Sequence, residues 1–164
     1  MRCLTLLLAG LALTAGQAVA QRPPDTHGGV WFSGGLGGGL MEGVRGGAAY
    51  LRVGGTPTER VLFGGEVITW FRDGTTRTNV AATALLYPFY EETGVPGHDL
   101  FFKGGFGVAA TSGADTGVGM TFGGGYDFRL GSNFYVIPNV DFVIQFFGER
   151  TDTTILFTLG LGFH

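Results

Sequence analysis

Apolar and polar side chains alternate along most of this chain. From Phe134 to Phe146 every second residue is apolar, whereas Asn139, Asp141 and Gln145 lie at the positions between them. A period of two is typical of a β-strand with one apolar face and one polar face. Clusters of Gly, Asp, Thr, Pro and Ser separate segments of this kind. We predict eight strands, at residues 29–39, 44–54, 60–72, 78–90, 100–111, 117–130, 133–147 and 153–163.

The polar face of these segments indicates which side faces water. A soluble barrel would point its apolar face inward and carry a dense set of charges outside, whereas a membrane barrel reverses the two faces. Here the polar face is mostly Gly, Thr, Ala and Asn, and only 14% of the chain is charged. The predicted fold is therefore all-β, a single eight-stranded antiparallel up-and-down transmembrane β-barrel.

This orientation assigns two sets of side chains. We expect a polar network in the lumen, whose charges balance in sign because an unpaired buried ion is costly; it comprises Arg52, Glu66, Lys103, Asp127, Arg129 and Asp141. We expect aromatic contacts with lipid from Phe63, Phe102, Phe106, Phe122, Phe128, Phe134, Phe142, Phe146, Phe157 and Phe163. Mutual ion pairing inside a narrow barrel predicts a plugged lumen.

The N-terminus has the three regions of a secretory signal. Arg2 precedes an apolar run at 3–13, and small residues end in Ala18-Val19-Ala20. We predict a signal peptide at 1–20, cleaved before Gln21, then a short periplasmic leader at 21–28 and the barrel domain at 29–164. The run is too short for a transmembrane helix, and a retained anchor is the alternative. The single cysteine, Cys3, lies inside the signal, so the mature chain has no thiol chemistry.

Composition narrows the class further. The chain contains 32 Gly and 15 Phe, a mixture that disfavours helices and suits strands. A net charge of -3 without basic stripes indicates no nucleic-acid partner. If both termini lie in the periplasm, four short connections of about five residues, at 40–43, 73–77, 112–116 and 148–152, face outward. Loops this short weaken any receptor role.

Several stretches resemble known outer-membrane barrels. The last ten residues, Ile155-Leu-Phe-Thr-Leu-Gly-Leu-Gly-Phe-His164, are similar to the C-terminal strand by which such barrels are recognised for assembly. Residues 84–89, 102–107 and 122–128 look like strands of the OmpA-like and OmpX-like small eight-stranded barrels. The resemblance implies an outer-membrane location. It also implies two partners, outer-membrane lipid and the barrel-assembly machinery, which would engage the C-terminal strand.

Catalytic chemistry is not indicated by any motif. The mature chain has Ser33, Ser112 and Ser132, but none lies in a His-x-Ser or Gly-x-Ser-x-Gly context. We assign no catalytic, cofactor-binding or metal-binding residue. The expected function is a non-enzymatic outer-membrane protein with a structural or envelope role, monomeric, with a plugged lumen. The alternatives are a narrow channel for small solutes, a soluble exported barrel that binds a hydrophobic ligand, and a lipid A-modifying enzyme.

Overall fold

A computed structural model describes residues 29–58, 60–90, 99–113, 115–131 and 133–163. The predicted signal peptide (1–20) and leader (21–28) lie outside the described residues. So do all three histidines, His27, His98 and His164. The predicted domain boundaries therefore stay predictions.

The described residues form β-strands joined by turns. The strands are β1 (Val30–Met41), β2 (Val44–Thr58), β3 (Val61–Arg72), β4 (Thr75–Leu86), β5 (Leu100–Thr111), β6 (Thr116–Tyr126), β7 (Phe128–Arg129), β8 (Phe134–Phe147) and β9 (Arg150–Phe163). Among these residues there is no helix long and apolar enough to cross a membrane.

The sheet closes on itself. Neighbouring strands pair antiparallel in chain order, and β1 also pairs with β9, from Phe32 opposite Phe163 to Met41 opposite Thr154. β6 and β7 both pair with β8, so the two form one wall that is interrupted at Asp127. Because β6 and β7 occupy one strand position, the nine strands form an eight-stranded closed antiparallel barrel. This confirms the predicted fold class.

Strand boundaries differ from the prediction mainly in β4. This strand was expected at 78–90 but runs from Thr75 to Leu86. It ends early because Pro88 has no N–H to donate to a ladder. It begins early because the preceding turn has only two residues, so Arg72 pairs directly with Thr75.

Tight turns close one end of the barrel, which we call the hairpin end. Glu42 (φ 50°) and Gly43 (φ 82°) join β1 to β2, and Asp73 (φ 47°) and Gly74 (φ 79°) join β3 to β4. Positive φ at both central residues is the type I′ geometry that matches the strand twist. The β8–β9 turn has Gly148 (φ 62°) in its first position. These connections are shorter than predicted, because strand pairing continues to the turns. We call the opposite end, which carries the termini of the described chain, the terminal end.

The two faces of the wall follow the predicted alternation. The ten phenylalanines predicted to contact lipid all point outward, with 39–59% of each residue exposed. Large side chains also fill the interior, among them Trp31, Tyr50 and Trp70, all buried. Glycines on facing strands make room for them: a Cβ on Gly160 would overlap the Tyr50 hydroxyl, and one on Gly46 would overlap the Trp70 indole.

Candidate functional site

Four charged side chains meet across the lumen, and we call them the quartet. They are Arg52 on β2, Glu66 on β3, Lys103 on β5 and Asp141 on β8, each at most 5% exposed. Arg52 Nε donates to Glu66 Oε2 at 2.5 Å, and Lys103 Nζ contacts the same oxygen. Arg52 Nη2 lies 3.2 Å from Asp141 Oδ2, and Lys103 Nζ lies 2.7 Å from Asp141 Oδ1. Each cation thus contacts both anions, and the formal charge of the quartet is zero.

Sequence alternation places these four residues on the inward face but does not say that they meet. Arg52 and Glu66 are direct cross-strand partners. Lys103 and Asp141 both pair with Gly123 on β6, and the absence of a side chain there lets them approach each other. The neighbouring strands β2 and β3 therefore supply one charge each from one side of the barrel, and β5 and β8, which flank β6, supply one charge each from the other side.

Two neutral residues complete the site and were not part of the predicted network. Asn139 Oδ1 accepts from Arg52 Nη1 at 3.1 Å, and its Nδ2 donates to the Tyr50 hydroxyl at 3.0 Å. The Arg52 guanidinium also lies over the Tyr50 ring, 4.1 Å from its centroid. Asn139 and Tyr50 both lie on the inward face, so the alternation marks them as candidates. Their role depends on the barrel's closure, which the pattern does not encode.

Apolar side chains fill the lumen on both sides of the quartet. Toward the terminal end lies what we call the terminal layer: Trp31, Leu62, Leu85, Tyr87, Tyr90, Phe101, Tyr135 and Ile137. Toward the hairpin end lies the hairpin layer: Ala48, Tyr50, Ile68, Trp70, Val143 and Leu156. The quartet therefore lies between two apolar clusters, and on the hairpin side the buried polar residues Asn79, Thr121 and Gln145 share the lumen with the cluster.

The remaining two residues of the predicted network lie nearer the terminal end. Asp127 is buried and accepts a hydrogen bond from the Tyr87 hydroxyl at 2.7 Å. Burial first, and then the charge of Asp127, raises the pKa of Tyr87 well above its usual value. Arg129 is half-buried on β7 and donates from Nε to the Gly131 carbonyl at 2.7 Å. The four ion pairs that join the quartet involve neither of these two residues.

Little space is left between the quartet and the terminal layer. A cavity of about 10 Å³ lies there, lined by Ser33, Arg52, Tyr87 and Asp127 together with apolar side chains. That volume accommodates roughly one water molecule. A hydrated ion does not fit in it.

A second set of ion pairs lies at the hairpin end. Arg77 Nε is 2.9 Å from Asp152 Oδ2, and Arg150 Nε is 3.1 Å from Asp152 Oδ1. Arg150 also approaches Asp115, at 3.6 Å. Arg150 and Asp115 are about half exposed, so the pair between them contributes little to stability, whereas Arg77 and Asp152 are mostly buried.

The two described serines lie far from each other. Ser33 is buried on β1, and Ser112 lies in the β5–β6 turn, where its Oγ accepts from the Thr76 amide at 3.2 Å. Within the described ranges, no group of three or more His, Cys, Asp or Glu residues is placed to hold a metal ion.

A closed antiparallel barrel with an apolar exterior and a polar, charged interior defines a class: the small transmembrane β-barrels. Solved structures of this class superimpose on the chain. Neisserial surface protein A gives a TM-score of 0.63 at 9% identity, covering 85% of this chain and 99% of that one. The N-terminal barrel domain of Pseudomonas aeruginosa OprF gives 0.58 at 14% identity, covering 84% and 98%. The attachment invasion locus protein Ail of Yersinia pestis gives 0.54 at 13%, covering 84% and 100%.

An enzyme also has this fold. PagL, an outer-membrane enzyme, gives a TM-score of 0.50 at 16% identity, covering 81% of this chain and 99% of that one. No family model and no curated protein matches the chain. Because these identities are low, the comparisons show the fold, that of the small OmpA-like and OmpX-like outer-membrane barrels, and not a particular activity.

Proposed function

We propose that this protein is a non-enzymatic, monomeric outer-membrane barrel with a structural or envelope role, whose lumen is closed to solutes. The observation that carries the proposal is the enclosed quartet. Its four charged side chains cross the lumen from opposite walls, and an apolar layer lies on either side of them. A conducting pore would need a continuous aqueous path at this level.

The exterior supports insertion into lipid. Its outward phenylalanines are about half exposed on every strand except two: on β2 the exposed apolar residues are Leu51 and Val53, and on β4 they are Val80 and Leu86. A water-soluble protein rarely exposes an apolar surface of this extent. Export through the signal peptide, and assembly through β9 as the C-terminal strand, belong to the same proposal.

Two measurements test the proposal. The first is cell fractionation combined with migration of heated and unheated samples on a detergent gel. We expect a membrane-fraction protein with heat-modifiable mobility. A folded protein that stays in the soluble fraction would refute membrane insertion and favour a soluble barrel with a hydrophobic ligand.

The second measurement is conductance of the purified, folded protein in planar bilayers. We expect no reproducible steps from the wild type. The paired variant Lys103→Ser/Asp141→Ser removes one cation and one anion from the lumen without changing net charge, and we expect it to conduct more than Phe142→Leu, a control on the outer face. Stable wild-type steps would overturn the plugged lumen and favour the narrow channel.

A further inference from the structure

Among the described strands, one outward-facing residue is charged. Outward-facing strand positions alternate with the lumen positions, and among the described strands all of them are apolar, Gly, Thr or Tyr except Arg45 on β2. Arg45 is exposed and lies next to the β1–β2 turn, opposite Leu40. An isolated charge on an otherwise apolar wall is expected only where the wall leaves the hydrocarbon.

Threonines mark the same boundary on other strands. At the hairpin end the outward positions include Thr76 on β4, Thr116 on β6 and Thr151 on β9. At the terminal end the corresponding positions include Phe134 and Phe163, whose rings contact edge to face at 5.6 Å. The apolar band therefore reaches the terminal rim but stops short of the hairpins. Arg45 lies at the edge of this band that is nearer the hairpin end.

The guanidinium of Arg45 is available to a ligand. Among the described residues it forms no ion pair or hydrogen bond, although Glu42 lies in the adjacent turn. Asp73 in the neighbouring hairpin pairs with Arg72, at 2.9 Å. Arg72 in turn donates from Nη1 to the backbone carbonyl of Arg45 at 3.3 Å, which ties the β3–β4 hairpin to the backbone at Arg45. Below Arg45, the Phe71 ring covers Gly47 and presents an apolar surface.

We propose that Arg45 binds the phosphate of a lipid headgroup at the hairpin-end boundary of the bilayer. A guanidinium matches the oxygens of a phosphate with two parallel hydrogen bonds. In this arrangement the Arg45 stem would lie along the apolar wall while its head reached the polar region. The acyl chains of the same lipid would contact Leu40 and Phe71. This inference rests on the proposed membrane location and adds a specific lipid contact to it.

The test uses the folded barrel in maltoside micelles, which contain no phosphate. Didecanoyl phosphatidic acid is titrated in, and bound lipid is counted by native mass spectrometry. We expect Arg45→Gln to bind about tenfold more weakly than the wild type, the loss of one charge-assisted contact. Arg150→Gln is the matched control, because Arg150 is also exposed at the hairpin end but pairs with Asp152 and Asp115. Its affinity should stay at the wild-type value.

Three outcomes would overturn the inference: equal binding by Arg45→Gln and the wild type, equal weakening by Arg150→Gln, or competition by inorganic phosphate at the same concentration as the lipid. The last would indicate a site for free anions. Heat-modifiable mobility in the same micelles separates the two levels of proposal. A barrel that folds but ignores phosphatidic acid refutes only the lipid site, whereas a protein that needs no detergent refutes the membrane location.

Discussion

Replacing Glu66 with Gln should destabilise the barrel strongly. Glu66 is 2% exposed, and a single oxygen, Oε2, contacts both Arg52 and Lys103. The amide of Gln keeps the volume of the side chain but removes its charge. The quartet would then hold two cations and one anion in a buried site.

The magnitude follows from the charges. Two unit charges 4 Å apart attract by about 4 kcal/mol at an effective dielectric constant of 20, so two such contacts amount to about 8 kcal/mol. Part of this loss is recovered, because a neutral amide costs several kcal/mol less to bury than a carboxylate. We expect a net decrease of about 3–5 kcal/mol in the free energy of unfolding, typical of a buried pair that loses one partner.

The assay is equilibrium urea unfolding of the protein in lipid vesicles, followed by tryptophan fluorescence. Glu149→Gln is the matched control, since it makes the same chemical change at an exposed turn residue, and it should shift stability by less than about 0.5 kcal/mol. The double variant Glu66→Gln/Lys103→Gln leaves the neutral pair of Arg52 and Asp141. It should therefore lose less than the sum of the two single losses, by about 2 kcal/mol.

Two results would refute this reasoning. A loss below about 1 kcal/mol for Glu66→Gln would mean that water or a counter-ion reaches the quartet. Strict additivity in the double variant would mean that Glu66 and Lys103 do not interact in the folded protein.

Three further predictions concern the two faces of the wall and the terminal layer. Trp31 and Trp70 are 2% and 3% exposed inside the lumen, so brominated lipids should quench the fluorescence of the wild type weakly and that of a Phe106→Trp variant strongly. Phe142→Arg should cost about 2–4 kcal/mol because it places a cation in mid-membrane, whereas Thr151→Arg at the hairpin end should cost about 0–1 kcal/mol, both by vesicle unfolding. Wild-type stability should fall as the pH rises above about 10, where an unfolded tyrosine ionises but Tyr87, with its raised pKa, does not. Tyr87→Phe should remove part of that fall.

The sign of the last effect is fixed by proton binding. Below the pKa of an unfolded tyrosine, the phenol of Tyr87 is protonated in both the folded and the unfolded state, so its contribution to the free energy of unfolding is fully present. Above that pKa only the folded state keeps the proton, and the free energy of unfolding therefore declines as the pH rises. Tyr126→Phe, on the outer face, is the control for the loss of a tyrosine hydroxyl. Equal profiles for the wild type and Tyr87→Phe would contradict the prediction, as would strong bromolipid quenching of the wild type or a small loss for Phe142→Arg.

Alternation predicted the barrel and its inside-out arrangement because lipid and lumen impose opposite demands on successive residues. This is why Phe142 and Asp141, adjacent in the chain, could be assigned to opposite faces from the sequence. A hairpin turn can also be predicted from the sequence, because its geometry depends on its own residues: Asp and Gly tolerate the positive φ that both turn positions, Asp73 and Gly74, adopt.

The contacts inside the lumen could not be predicted from the alternation. Which inward residues meet depends on the strand stagger at which the barrel closes, and a period of two is the same for every stagger. Arg52 could equally have met Asp127 as Asp141. Both tryptophans also point inward, although tryptophan usually lies at the membrane interface. Here the glycine-rich inner wall offers them space, which single-strand patterns do not reveal.

The two-residue turns of the hairpin end leave almost no slack in the chain there. A protease needs an extended stretch of free backbone, and at Gly43 or Gly74 such a stretch exists only after several ladder pairs on both flanking strands have opened. Digestion from that side should therefore follow unfolding of the whole barrel rather than nicking of a loop.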